Sequence, residues 1–389
     1  MTVQLGLEVF LDDQLGLVQN RRVGVIAHPA STNSKLEHVQ DLFFKHPCIN
    51  LTTIMGPQHG IQGDTQDNMI EWDDYHDPFY DLPIYSLYGK TRSPTQKMLQ
   101  NVDVVVFDLQ DVGARYYTYI HTLTLAMESC QREGKTLIVL DRPNPINGID
   151  TEGTVLNPQF SSFVGLHPLA IRHGMTVGEL ALYLNSEFQI NCPLEIVKMT
   201  GWTREMFFSD TQLPWVLPSP NMPTPETAIV YPGTCLLEGT NISEGRGTTR
   251  PFELSGAPWI VPKQIVEKLT QMDLPGVVFC PVQLIPTFHK WANQRIGGVH
   301  IHVTDRKIFR PILTGLALLQ LYRQMGRTQF SWKSPPYEYE YDKLPIDILC
   351  GTDKIRELIE ADATLDELQN SWRDELQEFR EIRQKYLLY

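Results

Sequence analysis

Residues able to do chemistry are densest in one stretch of the chain, residues 218–258. Its proline-rich first part lacks backbone donors, so we predict an extended path there, followed by a short buried strand over residues 228–231. Its second part mixes charged and amide side chains with glycines that let the backbone bend tightly. The candidates for binding or catalysis in this stretch are Asn221, Glu238, Asn241, Glu244, Arg246 and Arg250. They suit a polyhydroxylated ligand, although a solvated loop whose Glu and Arg side chains pair with each other fits the same spacing.

A second group of polar residues directly follows predicted strands in the first half of the chain. These residues are His28, Gln58, His59, Asp108, Gln110, Asp111, Arg115, Asp141, Arg142 and Asn144. Because open parallel sheets bind ligands beyond the carboxyl ends of their strands, this placement predicts a site at that edge. Asp64 and Asp67 lie in the same loop as His59, which favours a functional role for this histidine.

Structural roles explain some of these positions equally well. Asp111 and Arg115 are four residues apart, which also fits an exposed ion pair on a helix. Arg142 precedes a Pro-Asn-Pro turn, which fits a role in holding that turn. Both interpretations stay open from the sequence.

The elements that must position these residues alternate between strands and helices. Four short apolar runs, at residues 23–27, 51–55, 102–109 and 136–140, are typical of buried parallel strands, and a helix is predicted over residues 117–132. This order predicts an α/β domain with a Rossmann-like, mainly parallel sheet.

The second half of the chain mixes strands and helices without that alternation. Strands are predicted at residues 194–198, 277–284 and 298–303, and helices at residues 262–272, 311–325, 353–361 and 365–386. We expect a smaller α+β domain closing a cleft over the first, with the two domains spanning residues 1–150 and 151–389. Leu368, Trp372, Leu376 and Phe379 share one face of the last helix, which packs either on its own chain or on a second copy in a homodimer.

Composition excludes several classes of partner and cofactor. The formal net charge of −13 over 389 residues argues against nucleic acid or an anionic membrane as the main partner. No GxGxxG, Walker A or HExxH pattern is present, so neither a dinucleotide, a nucleotide nor a metal is predicted as cofactor. The first residues lack the pattern of a secretory signal, and the six cysteines are scattered without a CxxC pair, which predicts a cytoplasmic protein with free thiols.

Several motifs together resemble one family. They are GPQHGIQGD at 56–64, PIYSLYGKTRSPT at 83–95, VFDLQDVGARYYTY at 106–119, VLDRPNPINGIDTEG at 139–153, RHGMTVGEL at 172–180, PSPNMPT at 218–224, VYPGTCLLEGTNISEGRGTTRPFE at 230–253 and GGVHIHVTD at 297–305. In this order they resemble the NamZ-like exo-β-N-acetylmuramidases, formerly a domain of unknown function. The resemblance implies a Rossmann-like subdomain, a second subdomain, and a cleft between them that releases N-acetylmuramic acid from the non-reducing end of peptidoglycan-derived saccharides.

The chain departs from this family at one position that matters for catalysis. Gln58 stands where the resemblance leads us to expect a catalytic Glu, and an amide can neither protonate a leaving oxygen nor activate water. The catalytic candidates are therefore Gln58, His59, Asp64, Glu238 and Glu244. The two glutamates have arginines nearby in the sequence, which favours their ionised forms and hence the role of base or nucleophile.

The resemblance also implies a muramyl sugar, whose lactyl carboxylate needs a cation, and Arg246 or Arg250 could clamp it bidentately. We expect these arginines, with the rest of the 218–258 candidates, to face the strand-end residues across one cleft.

Two other classes of function stay open. A metal-dependent hydrolase could use His28, His59, Asp64 and Asp108, although their spacing matches no compact ligand motif. A saccharide-binding protein without catalytic activity accounts for the polar loops and for Gln58 equally well.

Overall fold

The computed structural model describes residues 2–67 and 69–389. Its strands are β1 (Arg22–Ala27), β2 (Asn50–Gly56), β3 (Tyr75–Asp77), β4 (Leu82–Ser86), β5 (Val104–Asp108), β6 (Thr136–Leu140), β7 (Glu152–Val155), β8 (Ala170–Arg172), β9 (Leu194–Val197), β10 (Leu254–Ala257), β11 (Val277–Leu284) and β12 (Ile296–Val303). Its helices are α1 (Gly6–Asp13), α2 (Val39–Lys45), α3 (Gln96–Leu99), α4 (Tyr119–Arg132), α5 (Val177–Glu187), α6 (Pro225–Thr234), α7 (Pro262–Gln271), α8 (Pro311–Met325), α9 (Pro345–Cys350), α10 (Lys354–Glu360), α11 (Leu365–Asn370) and α12 (Arg373–Arg383). None of the helices described is both long enough and apolar enough to cross a bilayer.

The largest sheet has seven strands in the order β3-β4-β2-β1-β5-β6-β9. The four predicted strands β1, β2, β5 and β6 are neighbours in it and pair in parallel, and only the edge strand β3 is antiparallel. The prediction of a mainly parallel sheet is therefore confirmed. The other sheets are the antiparallel β10-β12-β11 and the two-stranded β7-β8.

Layers of helices bury both faces of this sheet, which is why its strands are continuously apolar. Val104 and Val106 of β5 pack in the cluster that contains residues of α1 and α2. Val105 and Phe107 point to the opposite face, into a cluster formed with α4 and α5. That second cluster continues into α6, α8 and the C-terminal helices, so one core joins the parallel sheet to the second half of the chain.

The last strand of the parallel sheet, β9, lies beyond residue 150 and pairs with β6. A domain boundary at residue 150 therefore does not coincide with the end of the sheet. The division into residues 1–150 and 151–389 stays a prediction.

Residues 228–231 form part of helix α6, so the predicted strand there is wrong. Pro225 occupies the first turn, where a missing N–H costs nothing, and the hydroxyl of Thr224 accepts a hydrogen bond from the backbone N–H of Thr227. The helix packs closely on α8, since a Cβ on Gly233 would lie 1.8 Å from the carbonyl oxygen of Pro311. Tertiary packing thus overrides the strand preference of the Ile-Val-Tyr run.

The predicted helix over residues 365–386 is interrupted, because α11 and α12 are separate and a 3-10 turn follows them. Ser371 ends α11 by donating its hydroxyl to the carbonyl oxygen of Leu368 at 2.7 Å. The four predicted apolar residues of this segment are all buried in the core of their own chain. This face therefore needs no second copy, and a homodimer stays a prediction that light scattering can test.

Candidate active site

A narrow polar cleft lies beyond the carboxyl end of β2, with about 40 Å³ of space that water can enter. The sequence-predicted residues that line it are Gln58, His59, Asn221, Glu238 and Arg246. They come from both loop sets that we expected to face each other. Its other lining residues are Tyr116, Tyr117, Thr118, Tyr119, Val164, Ser219, Met222, Tyr231, Phe252, Tyr337 and Glu338.

Gln58 is buried and held at both ends of its amide. The hydroxyl of Thr118 donates to Oε1 of Gln58 at 2.6 Å. Thr118 sits at the N-terminus of α4, yet its side chain does not cap that helix. Nε2 of Gln58 donates to the hydroxyl oxygen of Tyr88 at 3.1 Å and approaches Oε1 of Glu338 at 3.4 Å. The amide thus connects three other chain segments at the cleft.

Glu338 is the carboxyl group that faces Gln58, and it is 3% exposed. The hydroxyl of Tyr88 donates to its Oε2 at 2.7 Å. Burial in this poorly solvated position raises the pKa of Glu338 to about 7, and the nearby negative charge of Glu238 acts in the same direction. Near neutral pH a substantial fraction of Glu338 is therefore uncharged.

A strained two-residue turn presents Glu338 to the cleft. The backbones of Tyr337 and Glu340 exchange two hydrogen bonds of 2.9 Å, and Glu338 and Tyr339 between them have φ angles of 44° and 66°. Such angles suit glycine or asparagine in hairpin turns, so two other residues here store strain of the kind that functional sites hold. The guanidinium of Arg92, 3.7 Å from the ring centroid of Tyr339, packs against the turn.

A buried cluster of charges forms another part of the cleft wall. Arg246 donates to Oε1 of Glu238 at 2.8 Å, and the hydroxyl of Tyr337 donates to Oε2 of the same carboxylate at 2.6 Å. Burial acts to raise the pKa of Glu238, but the charge of Arg246 and the hydrogen bonds from Tyr337 and Arg246 together outweigh burial, so the net pKa lies below the ordinary value. Glu238 is therefore held as a carboxylate, in contrast to Glu338.

Glu244 lies behind this wall and supports it. It is fully buried, its Oε1 lies 3.3 Å from Nε of Arg246, and Lys290 donates to its Oε2 at 2.8 Å. Burial opposes its ionisation, but the charges of Lys290, His289 and Arg246 leave the pKa of Glu244 well below the ordinary value. The arrangement makes Glu244 a counter-ion that orients Arg246.

His59 lines the cleft as a neutral imidazole. Its Nδ1 lies 2.7 Å from the carbonyl oxygen of Thr65, so Nδ1 carries the proton and donates it to that carbonyl. Burial lowers the pKa of His59 to about 4. Its backbone φ of 69° is unusual for histidine and fixes the ring at the start of the loop.

Four predicted strand-end residues lie outside the cleft in structural roles. Arg142 binds the carboxylate of Asp108 with two hydrogen bonds of 2.5 and 2.8 Å. Arg115 is fully buried and donates to the carbonyl oxygens of Thr154, Leu169 and Leu349. Asp111 accepts from the backbone of Gly113 at 2.6 Å, and Asn144 donates to the carbonyl of Met175 at 2.9 Å. The alternative of an exposed Asp111–Arg115 pair is wrong, because both side chains are buried.

Three further candidates also lie elsewhere. Asp64 is exposed on its loop, and Asn241 donates to the carbonyl oxygen of Gln329 at 2.8 Å. Arg250 is 47% exposed in its side chain, pairs with Glu253 at 3.4 Å, and lines a second, larger groove of about 580 Å³. We centre the site on the smaller cleft because it combines both predicted loop sets with two buried carboxyl groups whose pKa values are displaced in opposite directions.

The arrangement offers no ligand set for the metal-hydrolase alternative. Among residues 2–67 and 69–389, no group of three His, Cys, Asp or Glu side chains has the geometry to hold a metal ion. His28 is fully buried, with Nδ1 2.9 Å from the hydroxyl of Ser31 and Nε2 accepting from the backbone of Gln110. Asp108 is already bound by Arg142.

The sequence analysis missed Glu338, Tyr88 and Thr118. Glu338 contacts Gln58 across 280 residues of chain, and its local sequence of alternating Tyr and Glu has the character of an exposed turn. Tyr88 and Thr118 lie inside motifs that carried the family resemblance, so that resemblance was the available sign of their importance.

Comparison with known proteins shows that both halves of the chain match one family. Residues 23–226 match the family model of the N-terminal part of exo-β-N-acetylmuramidase NamZ, and residues 229–389 match that of its C-terminal part. The chain is 46% identical over 387 residues to the peptidoglycan β-N-acetylmuramidase NamZ of Bacillus subtilis, an alignment that covers 100% of this chain and 91% of that protein.

Solved structures agree in fold along the whole chain. Two crystal structures of DUF1343 family proteins from Bacteroides fragilis superpose with TM-scores of 0.90 and 0.78, at 34% and 26% identity. Each comparison covers 100% of this chain and 99% of the other. Since the two family models account for most of the chain in order, and the relatives extend over its full length, this chain belongs to the NamZ family of exo-β-N-acetylmuramidases.

Proposed function

We propose that this chain is a glycoside hydrolase that releases N-acetylmuramic acid from the non-reducing end of peptidoglycan-derived saccharides, and that the cleft between Gln58 and Glu238 holds the sugar. Family membership supports the reaction class. The observation that carries the assignment to this cleft is that two buried carboxyl groups from different loops line it, with pKa values displaced in opposite directions. Glycosidases need two such groups, one to give a proton and one to activate water or attack the sugar.

Glu238 fits the second of these roles. Its carboxylate is kept ionised by Arg246 and by the hydroxyl of Tyr337, and a carboxylate can act as base or nucleophile at the anomeric carbon. Neutral groups around the cleft, among them Asn221, Ser219 and His59, can hydrogen-bond the hydroxyl and acetamido groups of the sugar. The rings of Tyr116, Tyr117 and Tyr119 add an apolar part to the lining of the cleft.

A chromogenic β-N-acetylmuramide, assayed beside the matching β-N-acetylglucosaminide and β-glucoside, tests this proposal. We expect turnover of the muramide and at least tenfold lower kcat/KM for the other two. The three aglycones are identical, so a difference reports recognition of the sugar.

The second candidate is a saccharide-binding protein without catalysis, which the amide at position 58 favours. Titration of N-acetylmuramic acid, followed by tryptophan fluorescence or calorimetry, separates the two. Binding with no release of chromophore between pH 4 and pH 9 would replace the hydrolase by the binding protein.

A further inference from the structure

Glu338 lines the cleft and can give a proton near neutral pH, whereas the residue at position 58 cannot. Gln58 has an amide, which does not titrate, and Glu238 is held ionised by Arg246. Glu338 combines burial, a place in the cleft lining and a direct contact with Gln58. We propose that Glu338 protonates the leaving glycosidic oxygen, with Gln58 and Tyr88 as its positioning residues. This inference rests on the hydrolase function proposed above.

The hydrogen bonds around Glu338 determine which of its oxygens carries the proton. Tyr88 has one hydroxyl proton, and it donates this proton to Oε2 of Glu338 at 2.7 Å. The amide of Gln58 donates to the oxygen of Tyr88, which orders that hydroxyl group. A proton on the carboxyl group therefore sits on Oε1, the oxygen that Nε2 of Gln58 approaches at 3.4 Å.

The amide nitrogen of Gln58 is a donor and cannot accept that proton. The O–H bond at Oε1 must then point away from Gln58, and Glu338 is one of the residues that line the cleft. Thr118 fixes this arrangement, because its hydroxyl donates to Oε1 of Gln58 and so keeps the amide nitrogen on the side of Glu338. The amide nitrogen of Gln58 is thus a permanent hydrogen-bond donor, and we infer that it orients the carboxyl O–H of Glu338 toward the substrate.

Charges on the neighbouring elements tune the same group. Burial raises the pKa of Glu338, and the charge of Glu238 raises it further. The hydrogen bond from Tyr88 and the charge of Arg246 lower it, and Tyr337 and Tyr339 flank it in the turn. The resulting value of about 7 matches the pH at which an acid can both hold and release its proton.

The proton transfer balances within the overall hydrolysis. The bond between the anomeric carbon and the glycosidic oxygen breaks, its electron pair stays on that oxygen, and the oxygen takes the proton from Oε1 of Glu338. Water supplies the hydroxyl group that ends on the anomeric carbon, and the proton that this water loses replaces the one that Glu338 gave.

Substrates with different leaving groups test the assignment. A nitrophenolate leaves without protonation, whereas the sugar alcohol of N-acetylmuramyl-N-acetylglucosamine needs a proton. For Glu338→Gln we expect kcat on the disaccharide to fall by roughly 10²–10⁴-fold, the usual contribution of a general acid, and kcat on the nitrophenyl β-N-acetylmuramide to fall by less than about tenfold. The wild-type loss of disaccharide activity above about pH 7 should disappear in this variant.

Two control variants test whether the selective loss of disaccharide activity is specific to Glu338. Glu340→Gln changes the other glutamate of the same turn, which is partly buried and pairs with Lys343, and should leave both activities unchanged. Glu238→Gln should reduce activity on both substrates to a similar degree, because the base or nucleophile is needed whichever group leaves. Equal losses on the two substrates for Glu338→Gln would overturn the assignment.

Tyr88→Phe gives an independent readout if Glu338→Gln does not fold. It removes a hydrogen bond that stabilises the ionised carboxyl group, so the alkaline limb of the pH profile should move to higher pH by half a unit or more. An unmoved limb would exclude Glu338 as the acid. If the wild-type protein cleaves neither substrate, the proposed hydrolase function is wrong. That result differs from a loss of activity in the Glu338→Gln or Tyr88→Phe variant alone.

Discussion

Two buried clusters of charged side chains, both close to ends of parallel strands, have different roles in this molecule. At the end of β5, Arg142 and Asp108 satisfy each other, and Arg142 also donates to the carbonyl of Thr32. At the cleft beyond β2, Glu238 and Arg246 are similarly buried, and both line the same cleft as a second carboxyl group, Glu338. The first cluster holds the sheet edge together, and the second retains groups that a ligand can reach.

The difference shows that burial and charge do not by themselves identify a site. Arg115 is the largest of the fully buried side chains, and its partners are backbone carbonyl groups. What separates the cleft is a pair of carboxyl groups, Glu238 and Glu338, with pKa values displaced in opposite directions.

The strongest test of this comparison removes the structural pair. Arg142→Met leaves the fully buried carboxylate of Asp108 without its partner, so we expect the free energy of unfolding to fall by about 3–5 kcal/mol. Urea denaturation measures this loss. Per folded molecule, kcat and KM for the muramide should stay within twofold of wild type at low temperature.

The double variant Asp108→Asn with Arg142→Met is the matched control. It removes both charges, so it should recover part of the stability lost by the single change. A raised KM in folded Arg142→Met would place this arginine at the substrate after all.

A smaller effect is expected from Gln58→Glu, which places a second carboxyl group 3.4 Å from Oε1 of Glu338. The two groups would share one proton, which raises the pKa of Glu338 above its present value of about 7. A carboxyl group with a raised folded-state pKa loses stability as pH rises from its unfolded value, about 4.5, to its folded value. The variant should therefore be nearly as stable as wild type at pH 5.

At pH 8 the same variant should be less stable than wild type by up to about 1.4 kcal/mol, because only the added pKa shift between pH 7 and pH 8 reduces stability at that pH. Urea denaturation at both pH values measures the difference. An equal stability difference at pH 5 and pH 8 would show that the two carboxyl groups do not share a proton. The alkaline limb of activity should move upward in parallel.

The strands of the sheet could be predicted from sequence because buried parallel strands are continuous apolar runs, and β1, β2, β5 and β6 are such runs. Helix α6 could not, since Ala-Ile-Val-Tyr favours a strand locally and the close contact of Gly233 with α8 is a tertiary feature. Sequence thus predicted elements where local pattern and global packing agree.

Some residues of the site could be predicted from sequence because they also follow a local pattern. Gln58 and His59 follow a strand directly, and Glu238 and Arg246 lie in a glycine-rich loop, so local pattern placed them correctly for the cleft. The same pattern also selected Arg142, because sequence shows which residues follow a strand and not which partners their side chains find. Glu338 carries no local mark, and its contact with Gln58 arises only on folding.

Arg250 provides the smallest expected effect and separates two arginines that the sequence treats alike. Arg246 and Arg250 are four residues apart in one loop, but only Arg246 is buried at the cleft, while Arg250 is half exposed beside Glu253 in the other groove. An exposed pair of this kind contributes about 0.2–1 kcal/mol, and lysine preserves its charge. Arg250→Lys should therefore change the free energy of unfolding by less than about 0.5 kcal/mol and leave KM for the muramide unchanged.

Arg246→Lys, as the matched variant, should lose both stability and kcat/KM, because lysine cannot reproduce the fixed geometry in which the guanidinium contacts Glu238 and Glu244. An increase of KM in Arg250→Lys with the thermal midpoint unchanged would show that the substrate extends into the second groove, and the boundary drawn here around the site would have to be widened.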